Sequence, residues 1–218
     1  MSTIIEAFDA VVDTSLAWLI DEASGFFSAI STGMDAAYSA SNTLMMFAPW
    51  WVVVLIVALV GWRVNGVLFA ITAAAGLWLC QTMGLWTETI ATLTLVFSST
   101  LLALLIAIPL GVLVGLSAKW KHSAELVLDF IQTMPPYIFL LPGIALLGYG
   151  PATAIWATCL VAIPPALRLT AHGIFMTPAQ YCELGSAVGM KPVSQVLKIR
   201  LPFAIPSILA GINQSLML

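Results

Sequence analysis

ELGSAVGMKPVSQVLKIRLP, residues 183–202, carries four charged side chains, Glu183, Lys191, Lys198 and Arg200, in a chain of which only 8% is charged. Long apolar runs lie on both sides of it. The segment reads as folded. Just ahead of it, Thr177-Pro178-Ala179-Gln180 has the form of a helix start, with Thr177 as N-cap, Pro178 at the first helical position and Gln180 completing a capping box. Tyr181, Leu184 and Val188 then make an apolar stripe, and Gly189 suits the residue after the C-cap. A second short helix is expected from Pro192. It sets Val193, Val196 and Leu197 against Ser194, Gln195 and Lys198, and Pro202 is the expected boundary before the next apolar helix. The small residues Gly185, Ser186, Ala187 and Gly189 permit close approach by another backbone. Such a helix–glycine–helix element serves either as a helix lying on lipid or as a dock for a protein outside the membrane.

Composition sets the surroundings. The chain has 218 residues, 61% of them hydrophobic, where a soluble domain carries about 25% charged residues. The fold class is therefore an all-α membrane protein. A helix needs about 20 apolar residues to cross the hydrocarbon core. Residues 44–60, 64–86 and a stretch within 89–118 supply three candidates. The run 130–167 is too long for one span and breaks at Gly148-Tyr149-Gly150-Pro151, a strong turn signal, into two. Residues 201–218 are apolar to the last residue, so about six transmembrane helices are expected, the last of them incomplete.

Charge gives an orientation. Six acids, Glu6, Asp9, Asp13, Asp21, Glu22 and Asp35, lie in the first 35 residues, which hold no Lys or Arg. Arg63, the pair Lys119 and Lys121, and the group Arg168, Lys191, Lys198 and Arg200 fall in alternate connections. Basic connections face the cytoplasm, which places the N-terminus outside. Trp50 and Trp51 at one end of the first span and Trp62 at the other suit an aromatic belt. The start lacks the basic n-region and short apolar core of a cleavable signal peptide. Residues 1–43 read as an extracytoplasmic acidic region. Ile5, Phe8 and Val12, and again Phe27, Ile30 and Met34, recur at helical spacing, as in an amphipathic helix pair on the outer surface, with disorder over part of the region as the alternative. Residues 44–86 form two N-terminal spans. Residues 87–218 form the core, with the polar loop at 176–202.

Catalytic chemistry finds no footing. Cys80, Cys159 and Cys182 are far apart and read as small apolar residues. No P-loop, HExxH or GxSxG motif occurs, and no metal-ligand spacing. His122, beside Lys121 at a membrane edge, reads as solvated or headgroup-facing, and His172 as a packing or capping residue. Ser123 is a candidate cap for the fourth span, with Glu125 and Asp129 favourable near a helix start. Asp129 sits deeper, and an ion pair with Arg168 is expected to offset its burial. Pro109, Pro135, Pro136, Pro142, Pro164 and Pro165 lie inside apolar runs and suggest bent helices that line a path or pack at an interface. Pro135 and Pro136, with Gln132, Thr133 and Tyr137, are the candidate path lining. Gly111 and Gly115 form a GxxxG for close helix packing.

Glu183, then Gly189, then Ile199-Arg200-Leu201-Pro202 resembles the EAA loop of bacterial ABC-importer permeases in spacing throughout, with Leu184-Gly185 in place of the family's Ala-Ala. LDFIQTMPPYIFLLP (128–142), AIPPALRLTAHGI (162–174) and LAGINQSLML (209–218) are similar to the glycine betaine/proline betaine type. The resemblance covers residues 44–218. It implies a type I importer permease fold, continued by further membrane sequence. It also implies a coupling loop in which Glu183, Gly185, Ala187, Gly189, Ile199, Leu201 and Pro202 serve a cytoplasmic ATP-binding subunit. The further partners implied are an extracytoplasmic substrate-binding protein, a second copy of the permease and membrane lipid, and no nucleic acid. ATP and Mg belong to the partner subunit, and this chain is non-catalytic and binds no cofactor. The implied place is the bacterial plasma (inner) membrane, and the implied cargo is glycine betaine, proline betaine or choline. An amino acid or another small solute remains an alternative cargo. A secondary transporter or scaffold without an ATPase is the alternative class, and it expects ionisable residues inside the spans.

Overall fold

The computed structural model describes residues 22–217. The Ile5, Phe8 and Val12 stripe lies outside them. Among the described residues the regular structure is helical, in the order α1 (Ser24–Phe47), α2 (Trp50–Asn65), α3 (Val67–Thr82), α4 (Trp86–Gly115), α5 (Ala118–Thr133), a 3₁₀ turn (Pro136–Phe139), α6 (Leu140–Leu147), α7 (Pro151–Phe175), α8 (Ala179–Ala187), α9 (Pro192–Gln195), a π turn (Val196–Arg200) and α10 (Leu201–Leu216).

Three described helices are long and apolar enough to cross a bilayer: Trp86–Gly115, Pro151–Phe175 and the continuous Pro192–Leu216. Counting each bent pair as one span gives five. The expected six is reached only with α3, whose 16 residues reach about 24 Å at 1.5 Å per residue, short of a 30 Å core. Met83 and Gly84, the latter at φ +74°, end it before Trp86.

α7 is the centre. Gly111 and Gly115 of α4 lie directly on it. A methyl group at Gly111 would meet Leu167 O at 2.9 Å, and one at Gly115 would meet Ala171 O at 2.6 Å. Ser99, Ala103, Ala107, Gly111 and Gly115, spaced by four, are all buried along this seam. On its other side α7 receives α10, with Gly173 against Ala204 and Ser207, and Gly211 against Ala166. Ser215 Oγ donates to Ala162 O at 2.7 Å across the same contact. In lipid, close van der Waals packing and polar bonds of this kind replace the hydrophobic effect as the force between helices.

The first candidate span starts later than its apolar run suggests. Leu44–Phe47 finish α1, and the chain turns by 91° at Ala48-Pro49 before α2. Pro49, sitting inside the run, makes the break. α1 is one helix of 24 residues, and Ile30 and Met34 face Leu101, Leu102 and Leu105 of α4. Asp35 Oδ1 accepts the Ala152 N–H at 3.0 Å, which places a carboxylate at the N-terminus of α7. Ser31 Oγ donates to Leu147 O, and Thr94 Oγ1 donates to Asn42 Oδ1.

The fourth candidate span is broken. α5 starts at Ala118 behind Ser117, so Ser123 lies inside the helix and caps nothing. Glu125 pairs with Lys121 one turn away, at 2.9 Å. After Thr133 the chain bends by 98° into the 3₁₀ turn and α6. Pro109, Pro142, Pro164 and Pro165, by contrast, lie within unbroken helices.

Candidate functional site

The polar loop folds into a closed hairpin. α8 begins behind Pro178, which takes the N-cap place in an extended conformation. Thr177 does not cap it: its Oγ1 is buried without a partner. Pro178 is itself extended, at ψ 131°, so the helix starts one residue later than the capping box requires. The far end of α8 is a Schellman turn. Met190 N–H donates to Gly185 O at 2.9 Å and Gly189 N–H to Ser186 O at 3.0 Å, with Gly189 at φ +75°. Only glycine holds that conformation without strain.

Inside the hairpin, Gln195 Nε2 donates to Ser186 Oγ at 2.8 Å and to Cys182 O at 3.4 Å. Gly185 is buried, and a methyl there would sit 2.9 Å from Ile199 Cδ1. Its smallness therefore serves the hairpin's own closure. The rings of Tyr181 and Phe203 meet at 5.0 Å. Pro202 does not end the element. The π turn carries Leu201 N–H to Val196 O, and the helix runs on from Pro192 to Leu216. The widened turn absorbs a proline that lacks the next donor.

Once closed, the hairpin still presents apolar groups. Leu184, Val188 and Val193 are 63%, 71% and 69% exposed, beside exposed Glu183, Ala187, Gly189, Lys191 and Lys198. Ile199 and Leu201 are half-buried, and Pro202 is exposed. Lys121 Nζ lies 5.2 Å from the centre of the Phe175 ring, so the connection after α4 and the hairpin after α7 share one end of the molecule. The sequence pattern marked Gly185 and Gly189 as small; the closing bonds of Cys182, Ser186 and Gln195 were not anticipated. Their spacing of four within α8, and a glutamine opposite, is the signal that points to them.

The second group surrounds the break. Arg168 Nη2 donates to Asp129 Oδ1 at 2.5 Å. Gln132, Thr133, Pro135, Pro136 and Tyr137 are all exposed on the single chain, Tyr137 by 80%. Thr133 Oγ1 donates to Phe130 O. Pro136 and Tyr137 edge a hollow whose far wall is Ala154, Thr158 and Val161 of α7. His122 and His172 are both exposed, so His172 is not a packing residue. No group of three metal-ligating side chains occurs among the described residues.

Residues 107–218 match the family described as binding-protein-dependent transport system inner membrane component. The chain is 30% identical over 210 residues to the glycine betaine/proline betaine transport system permease protein of Escherichia coli, covering 96% of this chain and 59% of that protein's length. It is 31% identical over 208 residues to the glycine betaine transport system permease protein of Bacillus subtilis, covering 95% of this chain and 74% of the relative. A choline transport system permease protein of Bacillus subtilis is 36% identical over 123 residues, 56% of this chain and 57% of the relative. The matched residues 107–218 hold the central α7, its glycine seams and the closed polar hairpin, and the chain belongs to the multi-pass inner membrane components of binding-protein-dependent transport systems.

Proposed function

We propose that this chain is the membrane-spanning permease subunit of an ATP-driven importer for a quaternary ammonium osmoprotectant: glycine betaine, proline betaine or choline. The observation that carries the reading is the hairpin. Gln195, Ser186 and the turn at Gly189 are bonded within it, yet Leu184, Val188 and Val193 stand in the open. An apolar patch framed by Glu183, Lys191 and Lys198 fits a protein groove better than water. The partner is a cytoplasmic ATP-binding subunit that holds ATP and Mg. Its closure moves the hairpin, and α10 transmits that motion because it continues the hairpin without a break. The cavity then alternates between inward-facing and outward-facing.

Two copies of the chain form the path. An extracytoplasmic binding protein delivers the cargo, and the basic end faces the cytoplasm with the N-terminus outside. The cargo class follows from the substrates that the names of the relatives state.

The test is co-purification with the ATP-binding subunit after extraction in mild detergent. Leu184→Arg and Val193→Arg replace exposed apolar groups and leave the closing bonds of Gln195 intact. Wild type is expected to retain the ATP-binding subunit and both variants to lose it, with equal membrane insertion. Retention by both variants would sink the docking assignment.

A further inference from the structure

Pro135 and Pro136 create an unusual spot at membrane depth. In a continuous helix their N–H groups would bond to Ile131 O and Gln132 O, and proline has no N–H to give. The Ile138 N–H goes to Pro135 O, and no N–H of the described turn returns to Ile131 or Gln132. Two successive carbonyls at the end of α5 are therefore stripped of donors. They stand at the negative end of that helix's dipole.

The depth is set by α7. Tyr137 lies beside Thr158 and Val161, seven and ten residues into a helix of 25, which is about 10–15 Å from its start. Irregular backbone at that level does not face lipid. It is covered by protein or lines a water-filled cavity. Met134, at φ −83° and ψ 136°, leaves the helix there, and Tyr137 stands 80% exposed beside it. Asp129 lies one turn earlier and is engaged by Arg168, so no free carboxylate competes for a cation among the described residues of the break.

Resting on the importer reading above, we propose that this break is a transit station for the quaternary ammonium head of the cargo, formed by the face of Tyr137 and the carbonyl oxygens of Ile131 and Gln132. The chemistry matches on three counts. A quaternary ammonium has no N–H and is satisfied by aromatic faces and partial negative charge rather than by directional acceptors. Carbonyls at a helix C-terminus supply partial charge without a full counter-ion, so the head is held weakly enough to leave. A neutral wall also suits a zwitterion, which a buried carboxylate would trap at one end.

The experiment uses the full-length permease assembled with its ATP-binding subunit in liposomes, with loaded binding protein outside and radiolabelled glycine betaine as the probe. Tyr137→Leu keeps the bulk and removes the π face, and it is expected to lower the uptake rate by on the order of tenfold. Tyr137→Phe keeps the face and should retain roughly half or more of the wild-type rate. ATP hydrolysis stimulated by the loaded binding protein reports assembly and docking, and it should persist in both variants. Equal betaine uptake by wild type and Tyr137→Leu would overturn the station and leave the importer reading standing. A wild-type assembly that takes up an amino acid but no quaternary amine would overturn the cargo reading, and the station with it. Equal losses in Phe and Leu variants would show that the hydroxyl, not the ring face, acts here, and would also overturn it.

Discussion

The chain has two proline pairs in its apolar runs, and they behave in opposite ways. Pro164–Pro165 sits inside α7, which runs unbroken from Pro151 to Phe175. Pro135–Pro136 stops α5 and turns the chain by 98°. Each pair removes two consecutive backbone donors, so local chemistry does not separate them. Packing does. Pro164 and Pro165 are buried, with α4 and α10 against the same helix. Pro135 and Pro136 are exposed on the single chain. Where neighbours hold both faces of a helix, the missing bonds are absorbed; where only α7 lies alongside and the prolines stay exposed, the pre-proline residue goes to extended geometry and the helix ends.

The largest test attacks the holding surface. At Gly115 even a methyl group would lie 2.6 Å from Ala171 O, a backbone atom that cannot swing aside. Gly115→Leu is expected to separate α4 from α7 and to remove most folded protein in detergent, with overpacking of about 1–3 kcal/mol as the lower bound. Size-exclusion profiles before and after heating would show it. An unchanged melting temperature would mean that the glycine seam is not what keeps α7 continuous.

Next is the break itself. Pro135→Ala with Pro136→Ala returns donors to Ile131 and Gln132 and is expected to let α5 run on towards α6. Uptake should fall by roughly fivefold to thirtyfold, since each of the two carbonyls, bonded at about 1 kcal/mol net, is withdrawn from the proposed station. The matching pair Pro164→Ala with Pro165→Ala should leave uptake near wild type, because α7 is helical already. Similar effects from the two double variants would erase the distinction.

How much of this was legible follows the same division. The turn at Gly148–Pro151, the Schellman glycine at 189 and the glycine seam of α4 are local patterns with one physical solution each, and residues alone display them. The outcome at each proline is not local. Pro49 and Pro135 break the chain while Pro109 and Pro164 do not, and only the neighbours decide which. The hairpin shows the same limit. Its existence was readable from Gly189 and the flanking helix signals. That Gly185 faces Ile199 of its own hairpin was not, because a small residue looks the same whichever backbone approaches it. The seat of α1 was also hidden, since Asp35 finds the N-terminus of α7 across more than a hundred residues.

A smaller effect is expected at the ion pair beside the break. Side chains of Arg168 and Asp129 are 37% and 59% exposed, and a pair so open to solvent contributes about 0–1 kcal/mol. Asp129→Arg alone places two cations together and should lower thermal stability slightly. Adding Arg168→Asp should recover it. A swap that fails to rescue would mean that Arg168 matters for its packing rather than for its charge partner.

The finest test reads a coupling rather than a loss and probes how α7 tolerates its prolines. Ser215 Oγ donates to Ala162 O, the residue after Leu160 and Val161, whose carbonyls are the ones Pro164 and Pro165 leave without a donor four residues on. Ser215 is buried, so Ser215→Ala leaves no stranded donor and removes one bond, for an expected loss of about 0.5–1.5 kcal/mol. Ala162 lies four residues before Ala166, which has an N–H in either background, so with Pro164→Ala and Pro165→Ala in place the same substitution should cost about as much. Melting curves of the four proteins form a double-mutant cycle. A coupling near zero would show that α10 steadies α7 through packing at Ala204 and Gly211 alone. A clear coupling would mean that the Ser215 bond also steadies the neighbouring turn at Leu160 and Val161, so that α10 holds the absorbed proline pair by more than close packing.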